Sequence, residues 1–170
     1  MGQVNHSAEI IDAERYREYL PRILNYIRLR VDDEDLAQDL TAEVFERAVA
    51  RQHTLRRPEA FGAWLFRIAH NTVAGHYRRR RPTVPVEQVI EYVGSGSSPP
   101  EEVIRRQELG YLRKALATLS EREQRIVQLK FGGGLANVDI AQIVGLRAGL
   151  VAVILYRALR KLRARLEEES

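Results

Sequence analysis

Residues Asn137-Val-Asp-Ile-Ala-Gln-Ile-Val-Gly-Leu-Arg-Ala-Gly-Leu-Val-Ala-Val-Ile154 decide how the chain folds. Ala141 is small where two helices must cross closely. Gly145 follows four residues later, where a tight turn calls for positive φ. Val151 and Ile154 then return to the shared core. Small–x3–Gly–x5–apolar–x2–apolar is the spacing of a helix-turn-helix. It predicts a short helix over 137–144, a turn at Gly145 and a long helix over 148–166. The N-terminal end of the second helix then points outward, able to enter a major groove. Arg157, Arg160, Lys161, Arg163 and Arg165 lie behind it, able to reach phosphates. A plain helical hairpin with a solvated basic face fits the same spacing.

Upstream, Ser120 with Glu123 three residues on forms a capping box, predicting a helix to about Phe131 that Gly132-Gly133-Gly134 ends. Leu109, Leu112 and Leu116 give residues 101–117 a helical period. Residues 82–100 carry four of the chain's six prolines among Gly and Ser and read as a flexible linker. Within it, 84–92 has the composition of an extended or turn segment that packs on something. Before the linker, Tyr16, Leu20, Ile23, Leu24, Ile27 and Val31 follow helical spacing, with Pro21 marking a kink or a start. Leu36, Leu40, Val44 and Ala48 do so on a second segment, and Phe61, Trp64, Leu65, Ile68 and Val73 on a third. No period-two alternation is sustained, so strands are not expected. The fold class is all-α: two small helical domains, 10–81 and 101–170, joined by the linker 82–100.

Composition narrows the function. The chain has 170 residues and no cysteine, which removes disulfides, thiolate metal sites and cysteine nucleophiles together. Its N-terminus lacks the basic-then-apolar pattern of a secretory signal. No apolar run approaches the roughly 18 residues of a membrane span, so membrane insertion is not expected and the cytoplasm is. Net charge is only +4, yet the charges are segregated. Residues 32–46 hold seven acids and no base, 66–81 five arginines and no acid, and 147–165 six bases and no acid. One acidic face and two basic segments imply two kinds of partner, one of them a polyanion.

The basic segment of the first half interleaves arginine with aromatics. Phe61, Trp64, Arg67, Asn71, Arg78 and Arg79 fall on one helix that can stack unpaired bases, hold a backbone and read a base edge through the Asn71 amide. Phe61 and Trp64 are equally fit for an ordinary core, and four consecutive arginines cannot share one helix face. Catalysis finds little support. Asp39 and Glu43 share a face without a third ligand, and His70 and His76 do not share one. Residues 32–35 lack the glycine and terminal glutamate of a calcium loop. There is no phosphate-cradling loop or nucleophile elbow. No cofactor, metal or enzymatic activity is expected.

Four motifs occur in order: Asp39-Leu-Thr-Ala-Glu-Val-Phe45, Trp64-Leu-Phe-Arg-Ile-Ala-His-Asn71, Leu119-Ser-Glu-Arg-Glu-Gln-Arg-Ile-Val127 and Val151-Ala-Val-Ile-Leu-Tyr-Arg-Ala-Leu-Arg160. Together they resemble a bacterial RNA polymerase sigma factor of the extracytoplasmic function (ECF) group, over residues 16–166. The resemblance implies that the first half is a sigma-2 domain, binding the β′ clamp helices of core polymerase and opening the −10 element. The second half would be a sigma-4 domain on the β flap and the −35 element. Asp35, Asp39, Leu40, Glu43 and Phe45 would then contact core polymerase. Phe61, Trp64, Arg67, Asn71, Arg78 and Arg79 would handle the −10 DNA, with residues 51–59 choosing a −10 base. Arg147, Ala148, Leu150, Val153, Arg157, Arg160 and Lys161 would face the −35 DNA. An anti-sigma factor is an implied partner.

The departures from the family pattern cluster at the DNA reader. Ala42 replaces the usual glutamine of the acidic helix. Ala136 stands where Ser or Thr usually caps the first helix of the motif, with Asn137 able to cap by a one-residue shift. Arg147 stands where Ser usually precedes the reading helix. Leu150 replaces a polar residue; it can touch a thymine methyl but cannot hydrogen-bond a base edge. Phosphate-led docking of the second half is therefore expected, with promoter choice falling on the −10 element; burial of this apolar end against the first half or another protein is the alternative. A stand-alone helix-turn-helix regulator is the competing reading.

Overall fold

A computed structural model describes residues 10–80 and 99–169. The expected packing segment 84–92 lies outside the described residues. Among the described residues there is no strand. The first half is three α-helices: α1 (Ala13–Arg28), α2 (Glu34–Arg51) and α3 (Phe61–Arg79). Asp12 caps α1 by accepting from the Arg15 amide at 2.8 Å, and α1 runs through Pro21 rather than starting there. Asp33 caps α2 by accepting from the amides of Asp35 and Leu36, while Glu34 and Asp35 place negative charge on its positive end. Arg28 at the end of α1 donates from Nε to Glu34 at 3.0 Å, fixing the angle between the two helices. Ile23, Tyr26, Ile27, Leu40, Val44, Leu65, Phe66 and Val73 fill the space between the three. Tyr26 meets Phe66 edge-on at 5.6 Å, a favoured aromatic geometry.

The second half is α4 (Pro100–Leu116), α5 (Glu121–Val127), α6 (Asn137–Val144) and α7 (Ala148–Glu168). Helix α4 starts on Pro100, whose missing N–H costs nothing in a first turn. Its buried residues are Ala115 and Leu116, so most of it stands clear of the core. The capping box forms as expected: Ser120 accepts from the Glu123 amide, and Glu123 accepts from the Ser120 amide. The helix does not run unbroken to Phe131, however. It widens into a π turn over Gln128–Gly132. Gly145 adopts φ 72°, ψ 35°, the left-handed turn that the spacing demanded, and its amide closes on the Ala141 carbonyl. Ile126, Leu129, Ile140, Ala141, Val151, Leu155, Ala158 and Leu162 form the core of this half.

The two halves pack directly on each other. The π turn brings Gly132 and Gly133 onto α1 and α3. A Cβ at Gly132 would lie 2.9 Å from Leu29 and 3.0 Å from the Tyr26 backbone, and one at Gly133 would lie 2.7 Å from the Phe66 ring. Only glycine allows this approach. Arg22 donates from Nε to the Gly133 carbonyl at 2.8 Å, and Arg113 donates from Nε to the Arg28 carbonyl at 2.9 Å. Read from sequence, the three glycines only end a helix; in the fold they also form the contact between the halves.

Candidate nucleic-acid interface

Helix α2 divides the acidic run into two faces. Asp35 and Asp39 are exposed. Glu43 is half-buried and paired with Arg47 at 2.5 Å, with Arg79 at 3.9 Å. Leu40 and Phe45 are core residues, 2% and 7% exposed, and Phe45 meets the Tyr16 ring edge-on at 4.9 Å. The expectation that these two contact a partner is corrected for this packing: Leu40 lies on the apolar stripe of α2 and Phe45 is covered by Tyr16.

Helix α3 divides likewise. Phe61 is buried between Tyr19 and Trp64, at centroid distances of 5.0 and 5.7 Å, and Arg15 covers it at 4.6 Å. It cannot stack on a base, which corrects its placement among the DNA contacts. Trp64 is partly covered, and its indole N–H donates to the Thr54 hydroxyl at 3.0 Å. Thr54 belongs to the loop after α2, so this bond ties that loop to α3. Asn71, Arg78 and Arg79 are exposed. Arg67 is exposed but engaged: it donates to the Gln142 carbonyl on α6 at 2.6 Å.

In the helix-turn-helix, the expected capping by Asn137 does not occur. Ala136 is the N-cap of α6 with no side-chain bond, and Asn137 Oδ1 is buried without a partner. Arg147 precedes α7, also without a side-chain cap. Leu150 and Val153 are each 44% exposed at the start of α7, and Ala148 is half-buried. The basic residues behind them divide. Lys161 is paired with Glu123 at 2.6 Å, Arg163 with Glu167 at 2.9 Å and Arg165 with Glu168 at 3.5 Å. The Lys161 contact lowers the Glu123 pKa. Arg147, Arg157 and Arg160 are exposed and make no ion pair among the described residues.

Residues 15–83 match the model of sigma-70 region 2, and residues 109–162 match that of sigma-70 region 4. The ECF RNA polymerase sigma factor ShbA of Streptomyces griseus is 30% identical over 99% of this chain and 96% of its own length. The chain belongs to the ECF group of the sigma-70 family. The ECF sigma factor BldN of Streptomyces coelicolor is 32% identical over 91% of this chain, which spans 60% of that relative's length. Two solved structures share the fold of this sigma factor. CnrH, in complex with the cytosolic domain of CnrY, superimposes with a TM-score of 0.65 at 23% identity, covering 92% of this chain and 86% of its own. The sigma factor RpoE of Bartonella quintana, in complex with the anti-sigma factor NepR, gives 0.64 at 24% identity, covering 91% and 95%. Among the described residues of the sigma factor, no single helix is long and apolar enough to cross a membrane.

Proposed function

We propose that the chain binds core RNA polymerase and directs it to promoters, opening the −10 element with α3 and docking on the −35 region with α7. Residues 10–81 act as the sigma-2 domain, 82–100 as the linker and 101–170 as the sigma-4 domain. The observation that carries this reading is the solvent-facing pair Asp35 and Asp39 in the same chain as a helix-turn-helix. A regulator that only read duplex DNA would have no use for that acidic face, whereas a basic helical surface on a polymerase complements it. Asp35, Asp39 and Glu43 make the polymerase contact. Trp64, Arg67, Asn71, Arg78 and Arg79 handle the opened −10 strand. Arg147, Arg157 and Arg160 hold phosphates at the −35 region. The factor is not an enzyme, needs no cofactor and works in the cytoplasm, with the chemistry in the polymerase. An anti-sigma factor controls it, a reading supported by the relative solved with NepR.

Run-off transcription with core polymerase and a promoter library tests the proposal. Defined transcripts that require the chain are expected. Replacing Asp35 and Asp39 by lysine together should abolish capture of core polymerase and these transcripts. It should cost about 1 kcal/mol of stability, from reversing the Asp35 charge at the start of α2, and leave the fold intact, since both side chains face solvent. DNA binding without any polymerase-dependent transcript would favour the stand-alone regulator instead.

A further inference from the structure

Where the two halves meet, a cavity of about 560 Å³ opens between them. Its volume falls in the range of small-ligand pockets, about 300–1,000 Å³. Arg30, His70 and Tyr77 line it from the first half, and Arg113, Arg122 and Arg125 from the second. One carboxylate, Glu121, is the counter-charge on its wall. Four guanidinium groups thus line one cleft that stays open to solvent on the Glu121 and Arg122 side.

Two of the four are held in place by the fold. Arg30 lies 2.9 Å from the Tyr26 hydroxyl and 3.0 Å from His70 Nδ1, and the Tyr77 hydroxyl donates to the Arg30 carbonyl at 2.8 Å. Arg113 is anchored through its Nε on the Arg28 carbonyl. The other two are unengaged. Arg122 and Arg125 make no hydrogen bond or ion pair among the described residues, and Arg125 Nε is buried without a partner. Gathering like charges in a partly dehydrated space is unfavourable unless an anion completes it. Burial already weighs against the charge on Arg125, with Arg30 and Arg67 adding to it. Guanidinium forks match phosphate oxygens two at a time, and four of them against one carboxylate suit a multiply charged group better than a lone carboxylate.

We propose that this cavity between the halves binds a pyrophosphate group, free or carried by a nucleotide, through Arg30, Arg113, Arg122 and Arg125. Because the arginines come from both halves, the ligand stabilises their packing by mass action. The site does not depend on the polymerase reading above.

Calorimetric titration of the full chain with inorganic pyrophosphate and with ADP, at about 0.15 M salt to screen surface charge, tests the site. Saturable one-to-one binding is expected with at least one of them, and the tighter one identifies the source. Arg122→Glu should weaken it about tenfold or more, a loss of about 1.4 kcal/mol. Arg122 is exposed, so this variant keeps the fold, which circular dichroism checks. Arg17→Glu, an equal charge change on the exposed side of α1, should bind as the wild type does. Absence of saturable binding with both probes overturns the proposal, as does an equal loss in the two variants.

Discussion

Arg67 on α3 donates a 2.6 Å hydrogen bond to the backbone carbonyl of Gln142 on α6. The arginine proposed to meet the opened −10 strand is therefore held by the first helix of the helix-turn-helix. In this packing the side chain is directed at protein, and DNA must compete for it. Like the glycine contact, the bond joins the two halves. Under the proposed function, separating the two domains would also release Arg67 from Gln142.

Weakening that contact should separate the domains without unfolding either. In Gly133→Val, the new side chain would collide with the Leu129 carbonyl and the Phe66 ring, both 2.7 Å from its Cβ. Overpacking of this kind costs about 1–3 kcal/mol. Each half retains its own core, so thermal unfolding should become two transitions where the wild type shows one, the first several degrees lower. Small-angle scattering should show a larger radius of gyration. A variant with unchanged scattering and a single unchanged transition would mean that the glycines do not hold the halves together.

Asn71 lies four residues, about one turn, beyond Arg67 on α3 and is exposed. Asn71→Ala should leave the fold and the binding of core polymerase intact and reduce strand opening. A base contact is worth about 1–3 kcal/mol, so roughly a tenfold loss of open complex is expected. Permanganate reactivity of −10 thymines at matched occupancy measures it, and wild-type reactivity would remove Asn71 from the site.

The ion pairs on α7 bear on the proposed DNA contact. Lys161, Arg163 and Arg165 are paired with glutamates, so the proposal rests on Arg147, Arg157 and Arg160 for phosphates. Each phosphate contact contributes about −0.9 to the slope of log affinity against log salt, so the second half should account for a slope near −2.7. Replacing these three arginines by alanine should flatten the slope of the holoenzyme by about that amount. Changing single −35 base pairs should cost less than the roughly 1–3 kcal/mol of a lost base contact, because Leu150 and Val153 offer no hydrogen bond. A steep penalty at one −35 position would show that this apolar end reads sequence.

Stability should fall as the solution is acidified, well before the carboxylates titrate. Burial first, then the charges of Arg125 and Arg30, hold the His70 pKa down to about 4 from its ordinary 6.5. Between those values the unfolded chain binds a proton that the folded chain refuses, so stability drops as pH falls from 6.5 toward 4. Glu34 and Glu123, whose pKa values are lowered by Arg28 and Lys161, add their loss only below the usual glutamate range. His70→Gln should flatten the urea midpoint between about pH 7 and pH 5, where the wild type declines. An equal decline in both would place the sensitivity elsewhere.

The features legible in the residues alone are local. Ser120 and Glu123 specify a helix start because their bonds span three residues, and Gly145 specifies the turn because its φ of 72° is open to glycine. The apolar period marks which stripe of each helix is buried, and the segregated charge marks which segments stay polar. The same period already contained the burial of Leu40, which a motif read as a block of contacts obscures; Phe45, next to Val44, lay outside it. What only the tertiary structure decided is which stripe covers which, and hence the state of the site. Arg22 reaches a carbonyl 111 residues away and Arg67 one 75 residues away. Gly133 packs under Phe66, and four arginines scattered along the chain close on one cavity. Periodicity records that a face is apolar, but burial is non-directional and nearly any complementary face satisfies it. The partner is chosen by shape and backbone hydrogen bonds that exist only once the halves have met.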